Sequence, residues 1–255
     1  MRKTILTLIM MLALLAPASA MAAINRPVTV NLSPTAINIG TLYDGTTLTV
    51  TGDAPADCEV VVRFQGPPEE LHMKEKGKAL NLLWMNKGSV TFDNVPKAYL
   101  VASSKPMEEV VGPDSAELGL STMAEHIEVQ GTDDDKAMLI GDLLALKGQE
   151  GLYAEQSRAV TYGPEQGNRR TYTATLNLPA KLAPGSYTVE AVTLKNGYET
   201  GRTQQQTTAR LTGGPAMLAG LAFNHGALYG VLATVIALLA GLGVGLVFQG
   251  KGGAH

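Results

Sequence analysis

Residues 227–248 include no charged side chain, and Leu, Val, Ile, Ala and Gly fill almost every position. A helix needs about 20 apolar residues to cross the roughly 30 Å hydrocarbon core of a bilayer, and this run is long enough. Backbone N–H and C=O groups in lipid must pair within the segment, so a single isolated span has to be helical. A buried helix of a soluble core is the competing reading. The expected boundaries are a span over 226–248, a linker over 213–225 that opens with Gly213-Gly214-Pro215, and a tail over 249–255. Gly226 and Gly230, then Gly241 and Gly245, recur at i, i+4. That spacing puts small residues on one helix face and predicts close helix packing, with another membrane protein or with a second copy.

The N-terminus has a different hydrophobic pattern. Arg2 and Lys3 precede an apolar run over 5–16, and Ala18-Ser19-Ala20 has the small-x-small form that a signal peptidase accepts. We read 1–22 as a cleavable leader, since the apolar run is too short for an uncleaved anchor. Export of the N-terminus followed by one span leaves the body outside and the tail in the cytoplasm. Lys251 agrees with that orientation, and Tyr229 would sit near the outer interface.

Between these ends, several stretches alternate apolar and polar residues with period two, the mark of a strand with one buried face. Val28, Val30 and Leu32 form one such series, Leu48 and Val50 another, and Cys58, Val60, Val62 and Phe64 a third. Leu80, Leu82 and Trp84 form a fourth, and Tyr172, Ala174, Leu176 and Leu178 alternate with Thr171, Thr173, Thr175 and Asn177. Turn residues separate them, and Asn196-Gly197 predicts a two-residue hairpin because both positions tolerate positive φ. Many short strands at this spacing favour a mainly β fold, an immunoglobulin-like β-sandwich, over alternating βαβ units. Its two β-rich stretches are expected over 23–110 and 150–212. A helical insert is expected over 111–149, with helices at 115–129 and 133–147. Asp133, Asp134 and Asp135 suit the N-terminus of the second helix.

The chain offers little for catalysis. Its net charge of −3 argues against nucleic acid as a partner. Cys58 is the only cysteine, so an intramolecular disulfide is excluded, and its apolar face favours a buried thiol over an intermolecular disulfide or a nucleophile. His72, His126, His225 and His255 are scattered, and Glu125-His126 with Glu128 reads as a solvated helix end rather than a metal site. No nucleophile elbow, phosphate loop or metalloprotease helix occurs. Neither a catalytic residue, a metal ligand nor a cofactor is therefore assigned. An enzymatic reading would need a carboxylate pair such as Asp114 with Glu117, or Glu125 with Glu128. Lys74, Lys76 and Lys78 beside Glu69, Glu70 and Glu75 suggest a solvated hairpin or loop. Trp84 and Tyr187 are expected in the core, Tyr187 with the character of a corner tyrosine.

Several fragments in order resemble one family: Gly52-Asp53-Ala54-Pro55, Leu83-Trp84-Met85-Asn86, Gly151-Leu152-Tyr153, Leu178-Pro179-Ala180, Pro184-Gly185-Ser186-Tyr187 and Leu228-Tyr229-Gly230. Together they are similar to the pattern of the alphaproteobacterial transmembrane protein family Alph_Pro_TM. The family pattern has an acidic residue where this chain has Cys58. The resemblance implies a leader, a periplasmic body and one span in the bacterial inner membrane, with no catalytic residues. It also implies an association with a permease resembling sulfite or sulfonate exporters. The expected function is that of a membrane-anchored periplasmic accessory protein in contact with lipid and a transporter-like membrane partner. The alternative is a module that binds a small anion or sulfur compound, with Arg158, Arg169, Arg170 and Lys195 supplying positive charge.

Overall fold

The alternation read from the sequence builds strands in a computed structural model that describes residues 28–79, 83–112, 117–131 and 135–249. The expected leader, Leu80 and Leu82, Asp114, Asp133 and Asp134, and residues 250–255 lie outside the described residues, as does the side chain of Trp84. The chain is mainly β, with several sheets and one C-terminal apolar helix.

A four-stranded sheet has the order β1 (Asn31–Ser33), β3 (Thr46–Pro55), β11 (Arg169–Leu178), β10 (Val160–Gln166), antiparallel throughout. A six-stranded sheet has the order β2 (Ala36–Ile39), β13 (Tyr198–Leu211), β12 (Gly185–Lys195), β4 (Glu59–Gln65), β7 (Tyr99–Ser103), β9 (Tyr153–Gln156). Its outermost pairs, β13 with β2 and β7 with β9, are parallel. Both sheets draw on both β-rich stretches, because β11 pairs with β3 and β12 with β4.

The inward faces are the ones the alternation marks. Leu48, Val50, Tyr172, Ala174 and Leu176 of the first sheet are essentially inaccessible, as are Val60, Val62, Phe64, Leu100, Val189 and Ala191 of the second, and all belong to one core. Full burial of the Val, Leu and Phe side chains among them stabilises by about 1.5–3 kcal/mol each. A polar link also joins the sheets. The Val60 amide of the six-stranded sheet donates to Tyr162 Oη of the four-stranded one at 2.9 Å, while Tyr172 Oη fastens the chain leading into β1 by donating to the Thr29 carbonyl at 2.7 Å. At Gly52 a Cβ would fall 1.9 Å from that same carbonyl oxygen, so only glycine fits this close approach.

The first expected strand is displaced: β1 covers Asn31–Ser33, while Val28 is buried in non-strand chain whose neighbouring Thr29 amide donates to Asp53. Asn196 and Gly197, at φ 53° and 81°, turn β12 into β13 as the hairpin signal required.

A third sheet is a long hairpin, β5 (Pro68–Ala79) with β6 (Leu83–Pro96), joined by β8 (Glu128–Gln130). The Lys-Glu stretch thus belongs to a hairpin. Helix α1 (Met107–Val110) follows β7 and buries both its end residues. The helix expected over 115–129 is cut to α2 (Leu120–Glu125), because Val129 leaves the helix to pair with Phe92 of β6, where both side chains are buried. Helix α3 (Lys136–Gln149) starts at Asp135, whose carboxylate accepts from the Ala137 amide at 3.0 Å. Beyond β13 come α4 (Gly214–Asn224), within the expected linker, and α5 (Gly226–Gln249), the apolar run.

Candidate functional site

The strands of the six-stranded sheet alternate one core-facing set with a second set on the opposite face, which is polar around Arg63 and Glu190 and apolar and buried at Val61, Val101 and Val192. On β4 it is Val61, Arg63 and Gln65; on β12, Thr188, Glu190 and Val192; on β13, Arg202, Gln204 and Gln206. Register aligns them in rows: Gln206, Thr188, Gln65 and Tyr99 in one, and Gln204, Glu190, Arg63 and Val101 in the next. Cross-strand neighbours stand close enough for direct side-chain contact.

An ion network occupies the middle of this surface. Arg63 Nη2 pairs with Glu190 Oε2, and Arg202 Nη1 reaches Glu190 Oε1 at 3.0 Å. Arg202 also grips Glu199 with two hydrogen bonds of 3.0 and 2.6 Å. Glu190 keeps only 8% of its side-chain surface exposed and Arg63 17%, so the pair is partly desolvated and geometrically fixed. Arg63 Nη1 further donates to Tyr99 Oη at 3.3 Å and to the Glu117 carbonyl at 3.2 Å. Tyr99 Oη in turn donates to the Leu118 carbonyl at 3.2 Å, and burial pushes the phenol's pKa upward. The Glu199 hydrogen bonds, with Glu190 nearby, hold Arg202 firmly charged.

Two depressions flank Arg63. One, of 350 Å³, is lined by Gln65, Ser186, Thr188, Glu190, Gln204 and Gln206 together with Gly66 and Pro67. The other, of 310 Å³, is lined by Asn94, Pro96, Tyr99, Glu117, Met123 and His126. Arg63, Gln65 and Pro68 belong to both, so the two form one groove. Its amides and hydroxyls both donate and accept, its Arg63 and Glu190 pair with each other, and Glu117 adds a carboxylate at one side. Such a surface recognises polar groups by hydrogen bonding; it offers no converging excess charge.

The cations nominated from the sequence lie elsewhere, at the end of the sheets near the β12–β13 turn. Lys195 Nζ is 2.6 Å from Asp57 Oδ2. Arg170 donates to the Cys58 carbonyl at 2.7 Å and stacks over the Tyr162 ring at 3.4 Å. Arg169 donates to the Asp53 carbonyl at 3.0 Å. Arg158 is exposed in a left-handed turn at φ 61°. Glu59 accepts from Ser104, Lys105 and Tyr162 in the same region. Cys58 is buried, its Sγ 3.5 Å from Thr200 Oγ1, and burial raises its pKa. The thiol is therefore held in its less reactive form.

Tyr187 is fully buried, stacks on Phe64 with centroids 4.7 Å apart, and donates from Oη to the Ala183 carbonyl at 2.6 Å, the corner-tyrosine arrangement. Burial pushes its pKa up to about 12. Glu125, His126 and Glu128 are exposed, and His126 Nδ1 lies 2.8 Å from the Thr122 carbonyl. Gly226, Gly230, Gly241 and Gly245 lie along α5, where a Cβ at any of them would meet nothing within 4 Å.

The groove residues were not nominated from the sequence. The available signal was an Arg within Val61-Val62-Arg63-Phe64 and a Glu within Val189-Glu190-Ala191, opposite charges in two apolar strands that must pair if those strands are neighbours.

Among the described residues one helix, over Gly226–Leu246, is long and apolar enough to cross a membrane. No curated protein matches the chain. The family model described as "Putative transmembrane protein (Alph_Pro_TM)" matches residues 27–250, and the chain belongs to that family.

Proposed function

We propose that this chain is a non-enzymatic accessory protein of the bacterial inner membrane that holds a β-rich periplasmic body against an integral membrane partner. The observation that carries the reading is the groove around Arg63. It is broad and open and lined by Gln, Ser and Thr side chains, and its guanidinium, Arg63, is neutralised by Glu190. These properties suit the polar surface of another protein. A small-anion site would need unpaired positive charge, whereas Lys195 is paired with Asp57 and Arg170 is engaged by a carbonyl and a ring. The Gly226, Gly230, Gly241 and Gly245 face would add contacts within the bilayer. A transporter-like permease, of the kind resembling sulfite or sulfonate exporters, is the partner class to test first.

The test is photo-crosslinking in native membranes from Gln204 or Gln206, with Thr175 on the outer face of the four-stranded sheet as control. Adducts with a multi-span membrane protein from the groove positions and none from Thr175 are expected. Equal labelling from both faces, or no protein adduct from the groove, would exclude the groove as the contact surface.

A further inference from the structure

Only Thr212 and Gly213 separate the end of β13 at Leu211 from the start of α4 at Gly214. This joint is held on the body. The Thr212 amide donates to the Ile39 carbonyl at 2.9 Å, and a Cβ at Gly214 would stand 3.0 Å from Thr41 Oγ1. The apolar sequence after it exceeds what a span requires. Helix α5, with 24 residues, is about 36 Å long at about 1.5 Å per residue, already enough for a core of roughly 30 Å. The 11 residues of α4 would add about 16 Å.

Helix α4 therefore has no place in the hydrocarbon as part of the span, and it has none in the body's core either. None of its residues is buried, and Met217, Leu218 and Phe223 are 69%, 53% and 89% exposed. No Asp, Glu, Lys or Arg occurs between Arg210 and Lys251. His225, at φ −137° and ψ 52°, interrupts the helix and lets α4 depart from the axis of α5. The loop that touches Gly214 presents a further apolar side chain at the same end of the body: Leu42, next to Thr41, is 95% exposed.

We propose that α4 and the Leu42 loop form a lipid-docking surface that seats the body on the bilayer. Helix α4 lies in the boundary between headgroups and acyl chains on the body's side of the membrane, and Leu42 inserts beside it. Two observations point to lipid as the occupant: continuity with the span, and exposed apolar side chains carried by both an uncharged helix and a separate loop. The proposal rests on α5 crossing the membrane, and the test separates the two claims.

The full chain, with Cys58→Ser, is placed in phosphatidylethanolamine–phosphatidylglycerol liposomes. An environment-sensitive fluorophore is attached at Leu42→Cys or Phe223→Cys, with Thr175→Cys and Val235→Cys as controls. All four positions lie on exposed surface, so labelling leaves the core intact. Fluorophores at 42 and 223 are expected to emit to the blue of the one at 175 and to be quenched several-fold less by aqueous iodide. A nitroxide near the lipid headgroup should quench them more than one deep in the acyl chain, and position 235 should show the reverse preference. The proposal is overturned if position 42 or 223 is as open to iodide as 175 while 235 stays protected. Protection from iodide without quenching by either nitroxide would also overturn it, since a protein would then be the occupant. Iodide access at 235 would instead remove the span, and the docking surface with it.

Discussion

Glu190 receives both Arg63 and Arg202 while almost fully covered. Removing one partner of a buried pair leaves uncompensated charge and costs about 3–5 kcal/mol. Because Arg202 would still face Glu190, Arg63→Ala is expected at the lower end, about 3 kcal/mol, read as a fall in the midpoint of thermal unfolding of the detergent-solubilised protein. Glu59 titrates in a different balance. Burial opposes its charge, but hydrogen bonds from Ser104, Lys105 and Tyr162 outweigh that and hold its carboxyl below the ordinary range. A carboxylate with a depressed folded value contributes fully above its unfolded value of about 4.3 and loses the contribution as pH falls through the folded value. Glu59→Gln should therefore lower the unfolding midpoint at neutral pH and make its decline below pH 4.3 shallower. Asp57, also depressed, by the Lys195 hydrogen bond, keeps some acid sensitivity in the variant. A midpoint-versus-pH series on both proteins checks this.

Helix α3 is the element that braces the long hairpin. Leu143 is buried, and Leu139, Leu143 and Leu146 line an apolar depression with Met73, Val90 and Phe92 of the hairpin. Lys147, nearly covered, pairs with Glu69 at 3.2 Å. Removing either member leaves the other unpaired, but Glu69 keeps 28% of its side-chain surface exposed and Lys147 only 9%, so water can take over an orphaned Glu69 more readily than an orphaned Lys147. Lys147→Met, which keeps the stem's packing, is therefore expected to lower the thermal midpoint less than Glu69→Ala, which strands the covered ammonium, with parallel thermal melts as the measurement. Strands whose faces differ in burial were legible in the sequence: β3, β11 and the β12–β13 turn follow directly from Leu48 and Val50, the Tyr172 to Leu178 alternation, and Asn196-Gly197. The run over 115–129 was misread as a helix because Ile127 and Val129 are apolar in either state, and a long-range pairing with Phe92 decided between them. The groove was missed for a related reason. Arg63 and Glu190 are 127 residues apart, and only the β4–β12 register makes them neighbours.

At the scale of the whole molecule, stability of the anchor rests on α5. Its Leu, Ile, Val and Phe side chains contribute roughly 4–7 kcal/mol to insertion, and two central lysines would cost about 5–7 kcal/mol. The double variant Val235→Lys, Leu239→Lys is therefore expected to move much of the protein into the supernatant on alkaline extraction of membranes, while the unaltered chain stays in the pellet. The short joint at Thr212 and Gly213 also sets how far the body can travel. A flexible tether of 13 residues would have a root-mean-square reach of roughly 20 Å, and its cargo would roam a hemisphere of solution. A body seated directly above its anchor instead searches in two dimensions at constant height. Encounters then depend on lateral diffusion, and a neighbour in the same leaflet meets the groove at a far higher effective concentration than any protein free in solution.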